Sequence, residues 1–91
     1  MKPYRAWIVE VTVTPEIEDK LAAKHGVRLE EVRQAVTLGS YAVARWHTHP
    51  RYGERLIVRG RTDDDVELQV ILRPVDEADG IWECLTARRW R

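Results

Sequence analysis

Three arginines at even spacing are the residues whose types could act together chemically. Arg55, Arg59 and Arg61 fall within one segment of alternating apolar and polar residues, which predicts a β-strand. Side chains an even number of positions apart share one face of a strand, with next neighbours roughly 7 Å apart. This spacing is close to the phosphate repeat of an extended nucleic-acid strand, and arginine binds phosphate in a bidentate manner. An equally simple interpretation is a solvated sheet face, with the arginines stabilised by Glu67 and Glu83 across the strands.

Arg88 and Arg89 add positive charge at the end of the last predicted strand. Because adjacent side chains of a strand point to opposite faces, only one of these two arginines can lie on the same face of the sheet as the arginines of the earlier strand. The sequence leaves open which of them does.

The segment His47-Thr48-His49-Pro50 contains a second candidate constellation. It resembles the metal-binding core of JAMM-type metalloproteases, in which two imidazoles hold zinc beside a downstream serine and aspartate. Zinc sites need three or four protein ligands, and the serine–aspartate element is missing. We therefore interpret these histidines as incidental members of a loop and predict neither a metal nor another cofactor. The sequence also has no glycine-rich phosphate loop and no cysteine pair at zinc spacing.

The bulk properties are those of one small globular domain spanning residues 1–91. The chain has 91 residues, a formal net charge of +0 and a single cysteine. Zero net charge opposes strong non-specific binding to nucleic acid, although acids clustered in two predicted turns could leave a sheet face locally basic. The single cysteine, Cys84, is predicted to be a half-buried structural thiol. With no apolar run long enough to span a bilayer, we predict a cytoplasmic protein with no membrane partner.

The first half of the chain predicts a strand followed by two helices. Residues 5–13 alternate, with Trp7, Val9, Val11 and Val13 expected on one face. Thr14 and Pro15 provide a helix start, Gly26 provides its left-handed end, and Val27 is expected to pack back on the last turn. A second amphipathic helix is predicted at about residues 29–37, followed by Gly39.

The second half predicts only strands and turns. The predicted strands are 41–46, 54–61, 66–73 and 81–87, with 47–53 as a loop. The order β-α-α-β-β-β-β indicates an α+β fold in which a helical hairpin packs on a twisted antiparallel sheet. No repeats or low-complexity tracts interrupt it.

Four short segments, in this order, resemble the BrnT-like branch of the RelE/ParE toxin superfamily. They are Lys24-His25-Gly26-Val27, Glu30-Glu31-Val32, Glu54-Arg55-Leu56-Ile57-Val58-Arg59-Gly60 and Leu85-Thr86-Ala87-Arg88-Arg89. The resemblance rests on the ordered combination of these segments, which spans residues 14–90 at spacing compatible with the family. An extra N-terminal strand, a loop rich in histidine and aromatics, and a pI of about 6.8 depart from the family pattern.

The resemblance implies a RelE-like fold and a toxin of a bacterial type II toxin–antitoxin pair. It implies metal-independent cleavage of RNA, free or ribosome-bound, and neutralisation by a cognate antitoxin protein. The implied catalytic residues are Lys24, His25, Arg55 and Arg88, and the implied RNA-binding residues are Arg59, Arg61 and Arg89. In such a reaction His25 would exchange protons while the arginines stabilise the phosphate charge.

Two other functions remain open on the sequence. One is a non-catalytic interaction protein, either a ParE-like inhibitor of a target such as gyrase or a degenerate toxin homologue. The other is a metal-dependent hydrolase built on His47 and His49, which the missing ligands disfavour.

Overall fold

The structure is a computed structural model in which residues 4–36 and 38–90 are described, residues 40 and 41 by their backbone alone. The elements, in chain order, are β1 (Tyr4–Ile8), β2 (Glu10–Thr12), α1 (Pro15–Lys20), a π-helical turn (Leu21–His25), α2 (Leu29–Val36), β3 (Ser40–His49), β4 (Gly53–Arg61), β5 (Glu67–Asp76) and β6 (Ile81–Arg89). The predicted α+β class is confirmed, with two helices packed on a six-stranded sheet.

The first predicted strand, 5–13, is two strands interrupted at Val9. The N–H group of Val9 donates to the carbonyl oxygen of Gly80 at 2.8 Å, which takes this residue out of the ladder. The interruption shifts the alternation by one position, so both Ile8 and Val11 are fully buried. The predicted face that grouped Val11 with Val9 is therefore wrong, since Val9 is 41% exposed.

The strand order is β1-β3-β4-β5-β6-β2. β1 pairs with β3 in antiparallel fashion, whereas β2 pairs with β6 in parallel. The expectation of a wholly antiparallel sheet is therefore wrong for this one pair. Because the two edge strands follow each other in the chain, the sheet curls until its edges meet at Val9.

The first helix begins and ends where the sequence predicts. The hydroxyl of Thr14 accepts the N–H of Ile17 at 3.2 Å, and Gly26 adopts a left-handed φ of 61°. The sequence does not predict the π-helical turn that replaces the last α-helical turns. Buried Val27 donates its N–H to the carbonyl of Leu21 at 3.0 Å, which fixes the exit of the chain.

The second helix lies directly over β4. It is observed over Leu29–Val36, and position 37 of the predicted range lies outside the described residues. A Cβ atom added at Gly60 would lie 1.8 Å from the carbonyl oxygen of Ala35, so only glycine permits this close approach. Ala35 and Val36 are buried against the sheet.

The hydrophobic core lies between the helices and the face of the sheet that they cover. Trp82 is fully buried, and its indole N–H donates to the carbonyl oxygen of Trp7 at 2.9 Å. Cys84 is also fully buried rather than half-buried as predicted, and burial raises the pKa of its thiol to about 12. No helix in the described part of the chain is long and apolar enough to cross a membrane.

β3 and β4 form a longer hairpin than the sequence predicts. The predicted loop at 47–53 is wrong, because β3 continues to His49 and pairs with Gly53 at the start of β4. Only residues 50–52 form the turn. His47 is consequently a strand residue, directly opposite Arg55.

Candidate functional site

The face of the sheet opposite the helices, here called the open face, carries the arginines of β4. Leu56 and Val58 are buried beneath α2, so the alternating residues Arg55, Arg59 and Arg61 point to the open face. The prediction that these three arginines share one strand face is confirmed by the geometry.

Other strands extend this arginine-rich surface. Register places Arg45 beside Ile57, Arg5 beside Val43, and Arg88 beside Gln69. Within the described residues, five open-face arginines have no carboxylate within ion-pair distance: Arg5, Arg45, Arg55, Arg59 and Arg88. The protein has zero net charge, yet this face has a local excess of positive charge.

Two further open-face arginines are neutralised by neighbouring acids. Arg61 pairs with Asp65 at 2.8 Å and with Glu67, and its hydrogen bond to Asp65 raises the pKa of Arg61 above its ordinary value. Arg73 pairs with Glu83 across the β5–β6 ladder. The alternative interpretation of a self-paired sheet face therefore applies to Arg61 and Arg73 but not to the five free arginines.

At one end of the open face, Arg59 is held by an aromatic ring and an amide. Its guanidinium carbon lies 3.7 Å from the centre of the Trp90 ring. Its Nε donates to the side-chain oxygen of Gln69 at 3.4 Å. Gln69 lies between Arg59 and Arg88 in three adjacent strands, which places the two arginine backbones about 10 Å apart. An anion between these arginines would meet both.

At the other end, Arg55 lies in a cluster of aromatic side chains. Its guanidinium carbon is 4.9 Å from the centre of the Tyr52 ring, and its Nε is buried without a hydrogen-bond partner. The His49 ring lies 4.7 Å from Tyr52 and 6.5 Å from His47. Arg51 also approaches Tyr52, at 5.6 Å. Arg55 is thus oriented by stacking rather than by an acid.

The remaining predicted site residues lie on the helical side of the sheet. Lys24 and His25 end the π-helical turn, which packs against the covered face through Leu21. Arg89 pairs in register with buried Leu68 and therefore points to the same side. A Cβ atom built on the adjacent Gly26 would lie 4.0 Å from a terminal nitrogen of Arg89. Lys24, His25 and Arg89 thus form a second, separate group.

The structure consequently divides the predicted residues between two surfaces. Arg55, Arg59, Arg61 and Arg88 share the open face, whereas the helix-end group of Lys24, His25 and Arg89 faces the other way. The resemblance implies that His25 exchanges protons at a phosphate held by the arginines, which would require both groups on one surface, and the fold places them on two. Arg88 points to the open face and Arg89 away from it, which answers the question that the sequence leaves open.

The sequence singles out His47 only as part of a metal motif, and it does not single out Tyr52 and Trp90, two further aromatic residues of the open face. The spacing of the turn is the signal that could have placed His47 beside Arg55. A three-residue turn at 50–52 pairs position 49 with 53, and therefore 47 with 55. Trp90 follows Arg88 at even spacing and so shares its face.

The histidine pair does not form part of a larger metal-ligating cluster. Among the described residues, no group of three or more His, Cys, Asp and Glu side chains is placed to hold a metal ion. The Nδ1 atom of His49 already accepts the N–H groups of Arg51 at 3.1 Å and Tyr52 at 3.2 Å. His49 therefore has a structural use in the turn.

Comparison with known proteins gives a likeness of fold. No protein-family model matches the sequence, and no curated protein matches it at a significant level. The structure is similar to the 1.1 Å crystal structure of the Brucella abortus ribonuclease toxin BrnT, with a TM-score of 0.63 and 15% sequence identity. The match covers 91% of this chain and 97% of that chain. The chain therefore has a BrnT-like fold.

Proposed function

We propose that this protein is a ribonuclease toxin of a bacterial type II toxin–antitoxin pair, a BrnT-like member of the RelE/ParE superfamily. It forms one domain, acts in the cytoplasm on RNA that is free or ribosome-bound, and is neutralised by a cognate antitoxin. The likeness of fold to a ribonuclease toxin supports this proposal over nearly the whole chain.

The observation that carries the proposal is the set of unpaired arginines on the open face. Two of them, Arg55 and Arg59, have backbones about 13 Å apart along β4, and the guanidinium group of each lies over an aromatic ring. Positive grooves combined with aromatic platforms are typical of proteins that bind single-stranded nucleic acid. Arginines that are already oriented lose little side-chain entropy on binding a phosphate.

The chemistry requires no metal. The 2′-hydroxyl of RNA attacks the adjacent phosphorus, and the P–O5′ bond breaks to give a 2′,3′-cyclic phosphate and a 5′-hydroxyl. Arginine guanidinium groups stabilise the charge that grows on the phosphate oxygens. Arg55 and Arg88 are separate open-face candidates for this role, because Arg88 lies across Gln69 from Arg59 whereas Arg55 lies about 13 Å further along β4, so the two would hold different phosphates. The helix-end group of Lys24, His25 and Arg89 is an alternative location for the reaction.

A specific observation favours a second function. Val43 is 61% exposed and lies among the free arginines, so the open face also offers apolar contact area to a protein. Such a face could bind an acidic protein target without cutting RNA. The protein would then be a target inhibitor or a degenerate toxin homologue.

Controlled expression in a bacterial host separates these functions. Wild type is compared with Arg55→Ala, Arg88→Ala and, as a matched control, Arg73→Ala, whose side chain is already paired with Glu83. Growth arrest with loss of mRNA, relieved by the first two variants but not by the control, supports the ribonuclease. Arrest with intact RNA and an induced DNA-damage response supports target inhibition, and no arrest contradicts both forms of toxin.

A further inference from the structure

The β3–β4 hairpin brings an imidazole beside Arg55, an open-face arginine that lies over an aromatic ring and has no acidic partner among the described residues. His47 and Arg55 are directly opposite each other in the antiparallel ladder. Their neighbours Trp46 and Leu56 are also paired and pack into the core, so His47 and Arg55 share the open face. Cβ atoms of such cross-strand pairs lie about 4.5–5.5 Å apart.

The two histidines of this hairpin differ in what their ring nitrogens do. His49 uses Nδ1 to accept two backbone N–H groups in the turn and stacks on Tyr52. His47 is exposed, and among the described residues its ring nitrogens have no hydrogen-bond partner. His47 is therefore the imidazole that can still exchange a proton with a substrate.

Arg55 provides the second half of a reaction site. Its terminal nitrogens have no acidic partner in the described part of the chain, and the Tyr52 ring holds the guanidinium in place. The His49 ring packs against the Tyr52 ring, and the positively charged Arg51 also lies near Tyr52. A phosphate bound to Arg55 would lie next to His47, which is the geometry that proton transfer to or from a reacting group requires.

We propose that His47 and Arg55 form the cleavage centre of this protein, with His47 as the proton-transferring residue and single-stranded RNA as the substrate. This inference rests on the proposed ribonuclease function. His47 accepts the 2′-hydroxyl proton as the 2′-oxygen bonds to phosphorus, and the P–O5′ bond breaks with its electron pair passing to the 5′-oxygen. Water protonates that oxygen, and the resulting hydroxide takes the proton from His47, so no proton is gained or lost.

The proposal replaces the proton-transferring role that the family resemblance gives to His25. His25 lies at the end of the π-helical turn, on the helical side of the sheet, whereas Arg55 and Arg88 point away from that side. A phosphate held by the open-face arginines would thus be separated from His25 by the sheet. His47 lies directly opposite Arg55 on the open face, so a phosphate held by Arg55 lies on the same side of the sheet as His47.

The test compares three variants of the purified protein: His47→Gln, His25→Gln and the control Thr48→Ala. Thr48 is an exposed neighbour of His47 whose side chain points to the other face. Cleavage is followed on labelled single-stranded RNA, alone and in a cell-free translation reaction, with product ends identified as cyclic phosphate or otherwise. Binding is measured separately by fluorescence anisotropy, and folding by circular dichroism.

We expect His47→Gln to slow cleavage about 10²–10⁴-fold, with RNA affinity changed less than about threefold. The dependence of the cleavage rate on pH should differ between this variant and wild type, because the variant lacks the proton-transferring side chain. Thr48→Ala should cleave like wild type. Wild-type rates in His47→Gln, or a large loss in His25→Gln alone, would overturn the His47 centre while leaving the ribonuclease intact. No cleavage by wild type in either assay would overturn both.

Discussion

The guanidinium group of Arg59 lies over the indole ring of Trp90, with the guanidinium carbon 3.7 Å from the centre of the ring. The backbone N–H of Trp90 donates to the carbonyl oxygen of Glu67 at 2.8 Å, which fixes the residue after β6 beside the start of β5. The indole ring therefore does two things: it orients an unpaired arginine, and it offers an aromatic surface at the end of the open face. Both roles predict a contribution to RNA binding.

Replacing Trp90 by leucine should weaken the binding of single-stranded RNA. Loss of the ring removes about 1 kcal/mol of cation–π and base-stacking interaction, which corresponds to about a fivefold higher Kd. Fluorescence anisotropy with a short labelled RNA measures this change. Unchanged affinity in a folded Trp90→Leu variant would exclude the ring from the binding surface.

The free and the neutralised arginines should respond differently to substitution. Arg59→Ala should raise the Kd for RNA and reduce the slope of log K against log salt by about 0.7, the value for one single-strand phosphate contact. Arg61→Ala should have a smaller effect, because Asp65 and Glu67 already neutralise Arg61. Titrations at several salt concentrations measure both slopes, with Arg73→Ala as the control. Equal slopes for all three variants would contradict the distinction.

Tyr52 should act on cleavage through the position of Arg55. Tyr52→Ala removes the ring beneath the guanidinium, so kcat should fall more than RNA affinity does. Tyr52→Phe retains the ring and should restore most of the rate. Single-turnover cleavage with excess protein measures the chemical step, and an equal loss in both variants would instead implicate the hydroxyl group.

Gly60 should tolerate no larger residue. A Cβ atom would lie 1.8 Å from the carbonyl oxygen of Ala35, so Gly60→Ala forces α2 away from β4. We expect the free energy of unfolding to fall by about 1–3 kcal/mol, as for other overpacked cores. Urea denaturation measures it, and Val43→Ala on the exposed surface should stay within about 0.5 kcal/mol of wild type. A neutral Gly60→Ala would show that the helix can shift freely.

Cys84 should make the protein less stable at alkaline pH. Burial raises the pKa of its thiol from 9.0 to about 12, so above pH 9 the unfolded chain loses a proton that the folded protein retains. The stabilisation is therefore complete below pH 9 and is lost as the pH rises towards 12. Urea denaturation at increasing pH should show this slope in wild type and a shallower one in Cys84→Ala. A thiol reagent should react only on unfolding.

Local sequence patterns correctly predict the ends of the first helix and the faces of β4, because both depend only on residues that are close in the sequence. Thr14 and Gly26 carry their own capping geometry, and the alternation around Arg55 determines which side chains share a strand face. These features require no knowledge of distant contacts. Local patterns do not predict the interruption at Val9, because the alternation of residues continues unchanged through this position. A hydrogen bond from Val9 to Gly80, which is distant in the sequence, creates the interruption.

The sequence predicts the arginines of the candidate site but not the position of His47 beside them. Arg55, Arg59 and Arg88 carry a charge pattern that is visible in the sequence, whereas the proximity of His47 depends on strand register. Pro50 and Gly53 favour a loop over 47–53, although in the fold Pro50 begins a tight turn at 50–52 and Gly53 begins β4. The separation of His25 from the arginines follows from which face the helices cover, and local patterns do not determine that face.

The two edge strands of the sheet, β1 and β2, meet at Val9, and β2 can join the sheet only when its partner β6 has been synthesised. β2 is made early, yet its partner β6 is the last strand of the six to emerge. Arg88 belongs to that strand and Trp90 follows it, so a nascent chain lacks part of the open face until β6 is available. Pairing between such distant segments is slow, and we expect refolding over milliseconds to seconds rather than microseconds. The open face therefore becomes complete only when β6 has paired with both β5 and β2.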